Sequence, residues 1–179
     1  MNTIRLHDKS FKHYITANQI HKAIDALAEQ MNNDLKNENL PLFLSVLNGA
    51  FMFTADLIRK MEFDLELSFI KLASYSGTQS TGEVNEIIGL NTSVEGRTVV
   101  IVEDIVDTGV TIEKLVETLN EHHPKQVKIC TLLLKPDQYK KSLYLDYVGL
   151  KIPNAFIVGY GLDYNSLGRQ LPEIYVIDS

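Results

Sequence analysis

The chain has 179 residues, of which 45% are hydrophobic and 22% charged, values typical of a single globular domain and unlike those of disordered or fibrous proteins. Its formal net charge of −6 disfavours a nucleic-acid partner, because such binding depends on lysines and arginines that neutralise phosphates. Cys130 is the one cysteine, which excludes an internal disulfide and a cysteine-based zinc cluster. No apolar run approaches the roughly 20 residues that span a bilayer, and the first residues lack a secretory signal, so we expect a cytoplasmic protein with no membrane partner.

The predicted elements alternate between apolar strands and amphipathic helices. In chain order we predict a helix over Thr16–Asn37, a strand over Pro41–Leu47, a helix from Gly49 to about Met61, strands over Leu65–Ala73 and Thr98–Val102, a helix over Thr111–His122 and a strand over Val127–Leu134. Thr16 and Gln19 have the spacing of a capping box. Strands that are apolar on both faces and alternate with helices predict an α/β fold, a parallel twisted sheet flanked by helices.

Two shorter features complete the pattern. Phe156–Gly159 and Ile174–Ile177 are candidate short strands that form an appendage at the edge of the sheet. The connection Ser74–Gly89 is rich in Ser, Thr and Gly, and a loop of that length is typical of a lid or binding loop, with a plain surface loop as the alternative. Cys130 lies within an apolar run, so we expect a buried, inert thiol.

An acidic segment follows the predicted strand Thr98–Val102, and a Thr-Gly-Val-Thr turn leads from it into the next helix. Ligands of open parallel sheets bind outside the carboxyl ends of the strands. Glycine at the turn permits the required backbone angles, and the N–H groups of the turn and of the helix N-terminus can converge on an anion. The sequence therefore predicts a monophosphate site formed by Thr108, Gly109 and Thr111.

The carboxylates beside this turn need a cation or a sugar to share a pocket with phosphate. Glu103 and Asp104 suit either the two hydroxyls of a ribose or a magnesium ion, which prefers oxygen ligands. Neighbours in a strand point to opposite faces, so we do not expect both to bind one ion directly. The chain contains no Walker A motif and no G-x-G-x-x-G motif. Solvated capping carboxylates are the structural alternative.

The run Val102–Gly109 (VEDIVDTG) resembles the ribose-phosphate-binding motif of type I phosphoribosyltransferases, in the form of their 6-oxopurine branch. Leu47–Ala50 resembles the family's pyrophosphate loop, which contains a non-proline cis peptide. The pair Ser74-Tyr75 resembles the opening of the family's mobile lid. Phe156–Asn165 (FIVGYGLDYN) resembles the purine-binding segment, preceded by a matching Lys135 and followed by a matching Arg169.

This resemblance implies a single domain over 1–179, with a core over about 16–135 and a purine-binding hood from 136–179 and the N-terminal residues. The implied activity is transfer of the 5-phosphoribosyl group from 5-phosphoribosyl-1-pyrophosphate to hypoxanthine, and to guanine, giving IMP or GMP and pyrophosphate with Mg²⁺ as cofactor. Homodimers or homotetramers are usual in the family. The alternatives are an RNA-binding regulator on the same fold, an adenine or orotate transferase, and a binding module without turnover.

The resemblance also implies a role for individual residues. Asp107 would accept the purine proton, although an aspartate there also suits a helix cap. Lys135 would donate to the 6-oxygen, or else be a strand-end lysine with its stem buried. Phe156 would stack on the purine or belong to the core. Arg169 would bind pyrophosphate oxygens in pairs or form a surface salt bridge.

The remaining implied contacts concern metal and substrate. Asp163 would bind magnesium or a purine amine, with a turn acid as its alternative. The metal ligands implied are Glu103, Asp104 and Asp163. Further substrate contacts are implied for Asn48, Gly49, Ser74, Tyr75, Glu103, Asp104, Thr108, Gly109, Val110, Thr111 and Ile157. Asn48 and Val110 stand where some members of the family carry lysine, and binding through backbone N–H groups would survive both changes.

Overall fold

The computed structural model describes residues 3–74, 84–88 and 92–178, and for 72–74 and 84–88 it describes the backbone alone. The elements in chain order are β1 (Thr3–Leu6), β2 (Lys9–Ile15), α1 (Ala17–Leu35), β3 (Leu42–Leu47), α2 (Phe51–Ile58), β4 (Glu66–Ser74), β5 (Val84–Ile88), β6 (Thr98–Val106), α3 (Val110–Asn120), β7 (Gln126–Leu134), β8 (Tyr147–Lys151), β9 (Ile157–Val158) and β10 (Ile174–Ile177).

The larger sheet has the strand order β5-β4-β3-β6-β7-β8. Five neighbouring strands, β4, β3, β6, β7 and β8, run parallel. Strand β5 pairs antiparallel with β4 at one edge. Val100 and Val102 of β6 pack with α1 and α2, whereas Val99 and Ile101 pack with α3. Helices therefore cover both faces of the parallel sheet, which confirms the predicted α/β architecture.

Helix α1 begins where the sequence predicts. Thr16 is its N-cap, and the Thr16 hydroxyl and the Gln19 side chain form the reciprocal bonds of a capping box. Its apolar stripe is buried in the larger of the two cores beside the sheet. The N-cap satisfies backbone donors that the first helical turn leaves without a partner.

The smaller sheet has the antiparallel order β1-β2-β10-β9. Phe11, Val158 and Tyr175 are the buried centre of its own small cluster. From here on, the name hood means this sheet together with Ala155, Phe156 and the turns over 159–173. The chain's two ends thus meet in one sheet, through the pairing of β2 with β10.

Four strands differ from the elements predicted from the pattern. The predicted connection Ser74–Gly89 is not a continuous loop, since Val84–Ile88 forms β5 against β4. Strand β8 belongs to the larger sheet although it lies in the range predicted for the hood. The hairpin of β1 and β2 also lacked a signal. Three of them, β1, β5 and β8, lie at sheet edges, whereas β2 is an inner strand of the smaller sheet. In all four, pairing with a neighbour outweighs the intrinsic pattern.

Residues 75–83, which include Tyr75, lie outside the described residues, so the lid stays a prediction.

Cys130 in β7 is fully buried, as predicted, and this burial raises the pKa of its thiol. Within the described ranges, none of the helices combines the length and the apolar character needed to cross a lipid bilayer.

Candidate active site

The centre of the site is the carboxyl end of β6. This strand continues to Val106 because its parallel pairing with β7 continues through Ile105 and Val106. Glu103 and Asp104 therefore lie within the strand and not in a loop after it. As the alternation of a strand requires, they face different cavities.

A cavity of about 100 Å³ lies on the α3 side of the strand end. Its lining consists of Glu103, Ile105, Val106, Asp107, Thr108, Gly109, Thr111 and Ile112. We call it the phosphate cavity. Gly109 has a φ of +82° and precedes α3 as its N-cap, without a side-chain cap from any described residue. A helix N-terminus of this kind favours an anion. The phosphate site expected from the turn stays a prediction.

A second cavity, of about 310 Å³, adjoins it on the side of the hood. Its lining consists of Asn48, Gly49, Asp104, Ile105, Asp107, Lys135, Ala155, Phe156, Ile157, Leu162, Asp163 and Arg169. We call it the base cavity. It brings together candidate residues from β3, β6, β7 and the hood, and it shares Asp107 and Ile105 with the phosphate cavity.

Asp107 forms an ion pair with Lys135. The Lys135 Nζ donates to Asp107 Oδ2 at 2.8 Å. Lys135 is buried, whereas 44% of the Asp107 side chain is exposed. The pair therefore combines a fixed cation with a carboxylate that a ligand in either cavity can reach.

Asp104 lies against the loop after β3. Its Oδ1 accepts a hydrogen bond from the Ile105 N–H at 2.9 Å, and its carboxylate occupies the space that a Cβ at Gly49 would need. The preceding Leu47–Asn48 peptide bond is cis, as the resemblance implied. Burial raises the pKa of Asp104 to about 6, against the opposing effect of two backbone hydrogen bonds.

Glu103 lines the phosphate cavity, and one of its carboxyl oxygens is buried. Its Oε2 finds no hydrogen-bond partner among the described residues. Burial raises the pKa of Glu103 well above its usual range, and the nearby Asp104 charge acts in the same direction. A buried acceptor without a donor is costly, so this oxygen is suited to a hydroxyl brought by a ligand.

Asp163 and Arg169 close the base cavity from the hood. Asp163 Oδ1 lies 2.5 Å from the Arg169 guanidinium, and Asp163 Oδ2 accepts from the Ser166 N–H at 2.7 Å. Arg169 also donates to the Gly161 carbonyl at 2.7 Å. These bonds hold both charged groups at the cavity wall.

Among the described residues, no three or more His, Cys, Asp or Glu side chains are grouped to hold a metal ion by themselves. Magnesium, however, is usually bound through one or two carboxylates together with substrate phosphates. Asp104 and Asp163 line the same cavity, and the Asp163 charge contributes to the raised pKa of Asp104. Those two carboxylates fit a shared cation, whereas Glu103 lines the other cavity.

One predicted position, Val110, lines neither cavity, and two others lie wholly or partly outside the described residues. Val110 is exposed at the start of α3, with its N–H 3.5 Å from the Thr108 hydroxyl. Ser74 ends β4, and its side chain is outside the described part, as is all of Tyr75.

One pair of residues had no sequence signal. Tyr160 of the hood donates to Asp56 Oδ2 on α2 at 2.5 Å. In the sequence, an aspartate in a short helix and a tyrosine between two glycines give no sign that they are in contact. The contact follows from the docking of the hood on α2. Gly161 packs directly on the Gly49 carbonyl, so the same contact region also joins two backbones.

Comparison with known proteins gives a consistent picture. Residues 13–165 match the family model described as a phosphoribosyl transferase domain. The chain is 43% identical over 164 residues to the hypoxanthine-guanine phosphoribosyltransferase of Bacillus subtilis (strain 168), covering 91% of each chain. It is 40% identical over 173 residues to the bifunctional protein TilS/HprT of Listeria monocytogenes serotype 4b (strain F2365), covering 96% of this chain and 26% of that protein.

A solved structure shows the same fold. The crystal structure of a hypoxanthine-guanine phosphoribosyltransferase from Bacillus anthracis, with a HEPES molecule in its active site, matches with a TM-score of 0.83 at 37% identity. The match covers 93% of this chain and 98% of that chain.

Proposed function

The chain belongs to the phosphoribosyl transferase family, and on that premise we propose that it transfers the 5-phosphoribosyl group of 5-phosphoribosyl-1-pyrophosphate to a 6-oxopurine. Hypoxanthine and guanine are the acceptors, and IMP, GMP and pyrophosphate are the products. The observation that carries the proposal is a pair of adjoining cavities that share Asp107. One has the groups for a ribose phosphate, and the other has the groups for a purine and a pyrophosphate.

The reacting centre lies between these cavities. A ring nitrogen of the purine attacks C1 of the ribosyl group, and the bond from C1 to the pyrophosphate oxygen breaks. The purine loses its N–H proton to the carboxylate of Asp107, which the partial exposure of that side chain leaves accessible. General base assistance of this kind contributes about 10²- to 10⁴-fold to a rate.

Lys135 distinguishes the acceptor bases. An ammonium group has three donors, so Lys135 can keep its bond to Asp107 and donate to the 6-oxygen of the purine. Adenine carries an amino group at that position and offers no acceptor for this bond. A buried donor left without a partner makes adenine a poor acceptor. Phe156, with an exposed ring at the cavity, supplies a stacking surface for the base.

The leaving group meets the guanidinium of Arg169 and the loop at Asn48 and Gly49. A planar guanidinium binds phosphate oxygens in pairs. Magnesium, when bound by Asp104 and Asp163 with the donor's oxygens, would neutralise charge on the departing pyrophosphate. The 5-phosphate is held by Thr108, Thr111 and the N-terminus of α3. Glu103 accepts a hydrogen bond from a ribose hydroxyl.

The assembly and location of the protein are part of the same proposal. Phe51 and Phe69 are exposed large apolar residues and are candidates for a subunit contact, because contiguous exposed apolar surface marks interaction sites. We expect a homodimer or homotetramer, which light scattering of the purified protein tests. We place the protein in the cytoplasm, because a donor with several phosphate charges does not cross a membrane unaided.

The alternative of an RNA-binding regulator finds no support in the comparisons, and the relatives from Bacillus subtilis and Bacillus anthracis carry names of phosphoribosyltransferases. The deciding experiment is an assay with the phosphoribosyl donor, Mg²⁺ and each of hypoxanthine, guanine, xanthine and adenine. We expect nucleotide formation with hypoxanthine and guanine. Product with adenine alone would overturn the assignment of the acceptor, and no product with any base would overturn the proposed reaction.

A further inference from the structure

The turn between β1 and β2 touches the turn that follows the purine-binding segment. The Tyr164 hydroxyl donates to Asp8 Oδ1 at 2.7 Å, and His7 Nε2 lies 3.1 Å from the Asn165 carbonyl oxygen. Both contacts join the N-terminal hairpin to the turn at Tyr164 and Asn165. The hydrogen bond also lowers the pKa of the Asp8 carboxyl, which is therefore an ionised acceptor at neutral pH.

Tyr164 in turn contacts the ring of Phe156. The centroids of these rings lie 5.7 Å apart at 86°, an edge-to-face arrangement. Phe11 lies behind both, at 6.0 Å from Phe156 and 6.2 Å from Tyr164. Phe11 is fully buried, whereas 44% of Phe156 is exposed. Phe156 thus borders the base cavity and is supported by two rings on the side of the hood.

We propose that Asp8 and Tyr164 are positioning residues of the purine subsite, which they serve by fixing the ring of Phe156. The hydrogen bond from Tyr164 to Asp8 holds the tyrosine ring edge-on against Phe156, although neither Asp8 nor Tyr164 lines the base cavity. This inference rests on the proposed function, since it takes Phe156 as the surface on which the base stacks.

The physical reason is preorganisation. A ring that is half exposed and held from one side loses rotational freedom on binding a ligand, and that loss weakens affinity. Contacts around Tyr164 reduce the loss before the base arrives. His7 packs edge-on against the Tyr164 ring at 5.7 Å, and Lys9 Nζ lies 5.6 Å from its centroid. The hairpin of β1 and β2 therefore contacts Tyr164 through His7, Asp8 and Lys9 and, through it, positions Phe156.

Loss of the bond from Tyr164 to Asp8 should weaken binding of the acceptor base and leave binding of the donor unchanged. The donor's ribose phosphate is placed at Thr108, Thr111 and Glu103 in the phosphate cavity. Its pyrophosphate shares the base cavity, but it is placed at Arg169, Asn48 and Gly49 and not on the ring of Phe156. Asp8→Ala and Tyr164→Phe should each raise the KM for hypoxanthine about three- to tenfold, the effect of losing one hydrogen bond. The KM for the phosphoribosyl donor and kcat should change less than twofold.

Asp8→Asn provides the rescue, because its amide oxygen still accepts from Tyr164, and it should keep the KM of the unsubstituted protein. The double variant Asp8→Ala/Tyr164→Phe should be no worse than either single variant, since both remove the same bond. Asp178→Ala is the matched control: it breaks an exposed pair with Lys12 in the same small sheet, 3.2 Å long, and should leave the KM for hypoxanthine unchanged.

Each other outcome contradicts the inference. An unchanged KM for hypoxanthine in both single variants would show that the bond does not position the ring. A loss in Asp8→Asn equal to that in Asp8→Ala, or equal increases in both substrates' KM with a lowered Tm, would indicate general loosening of the hood. Failure of the unsubstituted protein to act on any 6-oxopurine is a separate result, which removes the proposed function itself.

Discussion

The ion pair of Asp107 and Lys135 shows how two separate motifs become one group at the site. Each residue follows a strand, and the register of β6 with β7 pairs Val106 with Leu134. Asp107 and Lys135, the residues that follow these two, are therefore neighbours. Each residue could be predicted individually from the sequence, because each matches a position in a motif of the family. Their pairing depends on the register, which the hydrophobic pattern does not determine.

Asp107→Asn tests the proton acceptor. The amide keeps the size of the side chain and can still accept from Lys135, but it takes no proton from the purine. We expect kcat to fall by about 10²- to 10⁴-fold, with the dissociation constant of the donor changed by less than about threefold. Steady-state kinetics and calorimetric titration of the donor measure the two effects.

Asp137→Asn is the matched control for this variant, because Asp137 is exposed and lines neither cavity. It should leave kcat unchanged. If Asp107→Asn turned over hypoxanthine as fast as the unsubstituted protein, the proton would have another acceptor.

Asp104→Asn should stabilise the metal-free protein at neutral pH. The folded-state pKa of about 6 lies above the ordinary value of 3.8, so the folded protein holds this proton more tightly than the unfolded chain does. Stability from this group therefore falls as the pH rises from about 4 to about 6, and the loss remains above pH 6. Asparagine removes the charge, so we expect a gain of about 1 to 3 kcal/mol at pH 7.

Urea unfolding of both proteins at pH 4, 5.5 and 7, without metal, measures this gain. The difference should shrink toward pH 4 and vanish only below about pH 3, where the unfolded aspartate is itself protonated. A variant that is less stable at pH 7, or a difference independent of pH, would contradict the assigned cost of burying this carboxylate. The same substitution should weaken Mg²⁺-dependent donor binding, so stability and function oppose each other at this position.

At the scale of elements, the helices and the central strands could be predicted because each has a strong period or an unbroken apolar run. Helix α1 has its cap at Thr16, and strand β6 differs from the prediction only by its longer carboxyl end. That extension could not be predicted, because polar Glu103 and Asp104 break the apolar run while backbone pairing with β7 continues. A short edge strand such as β5 gains its structure from a neighbour and leaves little trace in the pattern.

Thr16→Ala tests the capping box at this scale. Removing the hydroxyl leaves the Gln19 N–H without its partner and should lower the free energy of unfolding by about 1 kcal/mol. Urea unfolding measures the loss. Because Thr16 lies in neither cavity, kcat and both KM values should stay unchanged, and a fall in kcat would show that α1 transmits strain to the site.

For the whole molecule, the decisive relationship is how the hood sits on the core. Phe156, Asp163 and Arg169 come from the hood, whereas Asp104, Asp107 and Lys135 come from the larger sheet. The candidate residues could be predicted from linear motifs, but the contact that aligns them could not. It includes the bond from Tyr160 to Asp56 and the packing of Gly161 on Gly49, and both depend on the assembled fold.

Tyr160→Phe should loosen this alignment without removing a group from either cavity. Loss of the hydroxyl leaves Asp56 with its ion pair to Arg59, so this partly exposed carboxylate keeps a partner. We expect the KM of both substrates to rise several-fold and the Tm to fall by about 2 to 4 °C for each kcal/mol lost. Kinetics and thermal unfolding test this, and an effect on hypoxanthine alone would contradict a shared role in alignment.

The buried Cys130 has a practical consequence. Since the chain's one thiol is inaccessible and burial disfavours its thiolate, maleimide reagents should spare the native protein. A cysteine introduced at an open position such as Tyr144, which is 79% exposed, would then be the sole site of attachment for a fluorophore. The protein is thus suited to single-dye spectroscopy of ligand binding without first removing a native cysteine.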